Sequence, residues 1–193
     1  LNKFSEIWVL LLFGNLGDSS GFVVKNGRLE KITSDHTLVN LLVKSGELTE
    51  EEAKDHPNRN VLMKALGSLT TVEMDIFDVE TDVDGILLCS DGLTNMLEFD
   101  QIARVLNEDL TPEEKVKKLV TDSIRRQMVS DVDIATLLSG GLDSSIISAI
   151  VASNLNKQLT TYSIDYEDND KYFKKNNFTV SLDEYFIDLM SKY

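Results

Sequence analysis

The tightest constraint on how this chain can fold lies at residues 137–150, LLSGGLDSSIISAI. An apolar run breaks at Ser139-Gly140-Gly141, and a second apolar run starts straight after Asp143-Ser144-Ser145. The pattern predicts a buried strand, a glycine turn and a helix. Glycines let a backbone approach a ligand with no Cβ in the way, and the N–H groups of a first helical turn are unsatisfied and favour an anion. Ser139, Ser144 and Ser145 can add hydroxyl donors, and Asp143 can hold a divalent ion against phosphates. No Gly-Lys-Ser/Thr follows, so this is not a Walker loop. The plainer alternative is a glycine turn with a serine cap.

The flanking sequence extends this unit. Ile134–Leu138 reads as a strand, Ser144–Leu155 as a helix and Leu159–Ile164 as a second strand, followed by an acidic loop. Upstream, Thr111-Pro112-Glu113-Glu114 opens a long helix with a cap, a proline at the first position and acids at the positive end of the dipole. Before that helix the chain is richer in strands. Asn26-Gly27 between two short apolar runs is a type I′ hairpin signal. Asp35 stands ahead of a helical run that Gly46 ends. Thr49 and Glu52 make a capping box, with Pro57 beyond the helix they start. NVLMKALG (60–67) and VEMDIFDVE (72–80) read as strands. Ile86–Cys89 reads as a buried strand stopping at an acidic turn, and FDQIARVLNED (99–109), with Asp100 near its start, as a helix.

Net charge excludes some functions. At −14 the chain is poorly suited to a phosphate backbone or an anionic membrane, so neither nucleic acid nor membrane is expected as a partner, and no protein partner is identifiable. Ile7–Phe13, IWVLLLF, is too short to span a bilayer. It reads as a strand in preference to a signal peptide, since Glu6 sits at its edge and no small-residue cleavage site follows. The single cysteine, Cys89, cannot close an internal disulfide, which fits a cytoplasmic location. Leu1 in place of Met points to a fragment.

From about Lys115 to the end, the stretch TDSIRRQMVSDVDIATLLSGGLDSSIISAIVASNLNKQLTTYSIDYEDNDKYF closely resembles asparagine synthetases. Their synthetase domain is an ATP pyrophosphatase with a doubly wound parallel sheet. The resemblance implies that Ser139, Gly140, Gly141, Asp143, Ser144 and Ser145 form the pyrophosphate loop, with Mg²⁺ accompanying ATP at Asp143. It also implies that the next strand, around Ser163 and Ile164, lies beside the adenosine. Asp133 stands where the family usually has proline. The family's glutaminase domain with its leading cysteine, and the downstream walls of its substrate sites, have no counterpart in the sequence.

Residues 14 to about 112 resemble a second family, the metal-dependent PPM-type protein Ser/Thr phosphatases. The matching stretches are GNLGDSSGFVVKNGRLEKITSDHTLV, NRNVLMKALG and GILLCSDGLTNML. Their order fits the second half of that fold, a β-sandwich with helices outside. The resemblance implies that Asp91, in SDGL, ligates one ion of a Mn²⁺ or Mg²⁺ pair that activates water; without it, Asp91 is equally well a turn or cap aspartate. Asp18 and Asp35-His36 are read as structural. Ser20 and Lys64 replace family arginines. The family's D-G-H-G-G and G-G-x-D-N segments have no counterpart here, which leaves Asp91 as a remnant of a two-metal site. Cys89 is expected to be a core side chain.

The sequence thus reads as a composite: α+β then α/β, with a partial phosphatase-type sandwich (1–112), a shared junction helix (113–128) and a partial ATP-pyrophosphatase βαβ unit (129–193). Two functions follow. One is enzymatic by inheritance, as ATP-dependent amidation of aspartate or as phosphatase. The other is a non-catalytic remnant, or a module binding an anion (ATP or pyrophosphate, weakly) or a partner, with both activities lost.

Overall fold

A computed structural model describes residues 11–67, 71–154, 158–164 and 183–192. Most of the expected strand at 7–13 therefore lies outside the described residues, as does the acidic loop after Ile164. The chain divides into two compact units, Leu1–Leu119 and Val120–Tyr193. The division falls inside one helix, Pro112–Gln127.

The first unit contains strands β1 (Leu11–Asn15), β2 (Ser20–Lys25), β3 (Arg28–Lys31), β4 (Asp75–Val79) and β5 (Gly85–Cys89). They form an antiparallel β1–β4 pair and a three-stranded sheet ordered β3–β2–β5. The β2–β3 turn is the Asn26-Gly27 pair, with φ of 52° and 75°. Both angles lie in the left-handed region a type I′ turn requires. Asn26 N–H also donates to Asp84 Oδ2 at 2.7 Å, tying the turn to the segment before β5.

The strand β2 is buried on both faces over Ser20–Val24, which suits the apolar run Phe22–Val24 at its centre. On one face Val23 packs with Phe13 and Val79 of the β1–β4 pair, joined by Leu11, Ile32, Phe77 and Val83. On the other face Phe22, fully buried, meets the edge of Phe99 at a 5.5 Å centroid separation. Phe99 opens α4 (Phe99–Leu106). This helix buries Ile102 and Val105 with Leu97 and Leu119 over Leu29 and Leu87 of the sheet. Complete burial of a side chain such as Ile102 contributes about 1.5–3 kcal/mol.

Helix α1 (Leu38–Ser45) is capped by Thr37, whose Oγ1 accepts from Asn40 N–H, and ends at Gly46. Helix α2 (Glu50–Lys54) carries the complete Thr49/Glu52 capping box. The short α3 (Asp91–Thr94) follows β5 directly. In α5 (Pro112–Gln127), Thr111 and Glu114 cap each other reciprocally.

Two strand readings need correction. Residues 60–67 form no strand; only Leu62 bridges to Thr37. Val61, Leu62 and Met63 are exposed, and Val61 O and Met63 N–H bond to the residues flanking Thr37 instead of to a ladder. β5 is formed but not buried. Ile86 and Leu88 are 47% and 70% exposed, because only the Leu87 face is covered by helices. Cys89 at its end is half-buried and not a core residue.

The second unit contains β6 (Ala135–Leu137), α6 (Leu142–Asn154) and β7 (Thr160–Tyr162), followed by α7 (Glu184–Met190). The strands β6 and β7 pair in parallel, with α6 in the connection. Leu138, Ser148 and Val151 are buried there, and Thr136 Oγ1 and Ser148 Oγ hydrogen-bond at 2.8 Å between β6 and α6. The second strand is shorter than expected: it ends at Tyr162, and Ser163 and Ile164 lie past it, exposed.

Candidate functional site

The acidic turn after β5 places Asp91 at the first position of α3, where a carboxylate faces the positive end of the helix. Its Oδ2 accepts from Asn95 Nδ2 at 3.2 Å, and its carbonyl accepts from Asn95 N–H at 2.8 Å. Among the described residues no three His, Cys, Asp or Glu side chains gather closely enough to hold a metal ion. A two-ion centre needs several carboxylates. The described residues around Asp91 therefore do not fit one.

The Asp35-His36 pair ties loops together. Gly17 N–H donates to His36 Nδ1 at 3.1 Å, and His36 N–H returns to Gly17 O at 2.9 Å. Because Nδ1 accepts, the ring proton sits on Nε2. That nitrogen lies 3.1 Å from Asp75 Oδ2, while Lys64 Nζ lies 3.1 Å from Asp75 Oδ1. Nε2 is buried and has no other polar partner, so the Asp75 carboxylate is the group it faces. The imidazole N–H first, then the Lys64 ammonium, holds the Asp75 carboxyl below the usual carboxylate range.

Asp35 itself is paired with Lys31 Nζ at 2.7 and 2.8 Å, and Ser20 Oγ reaches it at 3.5 Å. Ser20 and Lys64 are thus both engaged with aspartates. Cys89 pairs with Ser20 across β2–β5. Burial pushes its thiol up, with Lys31 opposing.

The loop between β6 and α6 is built differently. Leu138 N–H bonds to Tyr162 O at 2.8 Å, so the parallel pairing continues to the edge of the turn. Gly140 then takes φ of +77°, which a side chain would strain. Ser144 Oγ knits the turn. It accepts from Ser139 N–H at 3.3 Å, meets Ser139 Oγ at 3.0 Å, and donates to Gly141 O at 3.1 Å. Ser145 N–H bonds to Gly141 O at 3.1 Å, the first bond of α6. The N–H groups of Leu142, Asp143 and Ser144 precede the first intrahelical donor. Asp143 is exposed in that first turn.

Ser139, Gly140, Gly141, Asp143, Ser144 and Ser145 therefore share one turn. Asp91 belongs to the other compact unit. Two contacts carry no readable sequence signal. One is the His36–Asp75–Lys64 group, whose members are far apart in the chain. The other is Asp183, whose carbonyl oxygen lies 2.6 Å from where a Cβ on Gly140 would stand.

Comparison with known proteins finds two likenesses. The asparagine synthase family model matches residues 115–177. The serine/threonine phosphatase stp of Listeria monocytogenes is 40% identical over 112 residues, which are 58% of this chain and 44% of that protein. The protein phosphatase PhpP of Streptococcus pneumoniae is 36% identical over 110 residues, 56% of this chain and 45% of its own length. The chain thus spans about half the length of these curated relatives. Among solved structures, the phosphatase Stp1 of Staphylococcus aureus aligns with a TM-score of 0.57 at 35% identity, over 63% of this chain and 48% of its own. The catalytic domain of the phosphatase PstP, in complex with two manganese ions, aligns with a TM-score of 0.50 at 29% identity, over 62% of this chain and 49% of its own. The chain is a composite in its likenesses: a PPM-type Ser/Thr phosphatase over more than half its length, and asparagine synthase from Lys115 to Asn177.

Proposed function

We propose that the chain handles phosphate through the β6–α6 turn, binding pyrophosphate or Mg·ATP weakly, and that its phosphatase-like unit is a scaffold without a working metal centre. The observation that carries this is the contrast between the two candidate sites. The turn gathers a positive-φ glycine, three serines and the start of a thirteen-residue helix within residues 139–145. Asp91 has no cluster of acids about it among the described residues. In this reading the first-turn amides of α6 and the serine hydroxyls contact phosphate oxygens. Asp143 holds Mg²⁺, which neutralises phosphate charge. The strand–helix–strand is the opening of a doubly wound sheet, and the protein works in the cytoplasm.

The likeness to asparagine synthase supports ATP as the nucleotide, and ATP-dependent amidation of aspartate as the ancestral reaction. The likeness to phosphatases, one of them holding manganese, supports Mn²⁺ or Mg²⁺ as the ancestral metal of the first unit. Neither catalysis is expected from the chain itself. Calorimetric titration with Mg·ATP tests the proposal: binding on the order of millimolar, since few contacts offset the cost of association, and weakened in Asp143→Ala. The same preparation should form no labelled asparagine from aspartate, ATP and ammonia or glutamine. Absence of binding at tens of millimolar Mg·ATP makes the turn structural only.

A further inference from the structure

We infer that α7 and the residue before it form a stopper on the β6–α6 turn, so that an anion must displace Asp183–Met190 to bind. The inference rests on the reading of the turn as a phosphate loop and concerns its regulation. Glycine at residue 140 leaves one side of the backbone open, the clearance a phosphate loop needs. That clearance is taken by the chain itself. A Cβ on Gly140 would meet Asp183 O at 2.6 Å, Asp183 Cβ at 3.1 Å and Asp183 C at 3.3 Å. Most of the obstacle is backbone, and it is held in place. Asp183 O accepts from both Phe186 N–H and Ile187 N–H at 3.0 Å, the first bonds of α7.

Charge adds to the block. Asp183 brings its Cβ to 3.1 Å from the position a Gly140 Cβ would take, and Glu184 follows it in the first turn of α7, so a phosphate oxygen there would meet acidic neighbours. Ile187 and Met190 are the least exposed side chains of α7, so they are the ones that seat it. A site closed by part of its own chain binds with an affinity reduced by the fraction of time it stands open.

The test compares the full-length chain with two full-length variants, using magnesium pyrophosphate as the probe and amide NMR as the readout. Ile187→Ser/Met190→Ser unseats the helix and should bind about fivefold more tightly, with the β6 and α6 amides unchanged before ligand is added. Asp183→Asn/Glu184→Gln should bind about twofold more tightly at low salt and lose that gain at high salt. In the parent chain, the proton–proton contact between Gly140 and Asp183 should fade as pyrophosphate saturates. Equal affinity in all three proteins, or persistence of that contact at saturation, overturns the stopper while leaving the loop intact. No binding by any of them removes the phosphate loop and, with it, anything to stopper.

Discussion

Asp75 shows how one side chain in this fold couples sequence positions that look unrelated. It sits on β4, takes Lys64 on one oxygen and faces His36 with the other, and His36 in turn holds Gly17. These partners hold its carboxyl below the usual carboxylate range in the folded state. A depressed carboxylate contributes stability above its unfolded value, near 3.9, and loses that contribution as pH falls through the folded value. The melting temperature of Asp75→Asn should therefore lie below that of the parent by a constant amount at neutral pH, and the gap should close below about pH 4. A gap that stays constant down to full protonation would mean that Asp75 works through shape and not charge. Asp91 invites the opposite expectation. Its helix-start position and Asn95 contact are structural, so Asp91→Ala should change stability by about 1 kcal/mol or less. With Mn²⁺ and p-nitrophenyl phosphate, neither parent nor variant should turn over. Turnover in the parent that vanishes in the variant would show a complete metal site.

At the scale of elements, coverage decides what a substitution costs. Ile102 is fully buried between α4 and the β3–β2–β5 sheet, whereas Leu88 on β5 is 70% exposed. Urea unfolding should find Ile102→Ala destabilised by about 2–5 kcal/mol and Leu88→Ser by less than about 0.5 kcal/mol. A large loss at Leu88 would mean that this face of β5 is covered in solution. The same contrast explains what could be read from sequence. Elements that carry their own punctuation were legible: the Asn26-Gly27 turn, the Thr49/Glu52 box, the Thr111-Pro112 helix start. Residues 139–145 were legible for the same reason, since a loop between strand and helix is set by local glycine and serine chemistry. The run 60–67 was misread because apolar residues can suit a strand without specifying a partner to pair with. Four consecutive apolar residues at 86–89 suggest burial on both faces, yet helices cover only one. Contacts such as Asp75–His36 and Gly140–Asp183 depend on tertiary placement, which no local pattern encodes.

For the whole molecule, the likenesses and the geometry point to different parts of the chain. Most of the identity to known proteins lies in the phosphatase-like unit, where the residues present do not assemble a metal centre among those described. The turn proposed to bind phosphate lies in the smaller unit, after the helix in which the two units divide. The net charge of −14 works against any anion, so Mg²⁺ should strengthen pyrophosphate binding by more than its effect on the ligand alone. No helix among the described residues is long and apolar enough to cross a membrane. The most direct measurement follows both candidate sites in one spectrum. Amide NMR of the full-length chain, titrated with magnesium pyrophosphate, should move Gly140, Gly141 and Ser144 together along a single millimolar curve. Asp91, Gly92 and Leu93 should stay in place. Shifts confined to Asp91–Leu93, with the 139–145 amides unmoved, would contradict the account and return phosphate chemistry to the phosphatase-like unit.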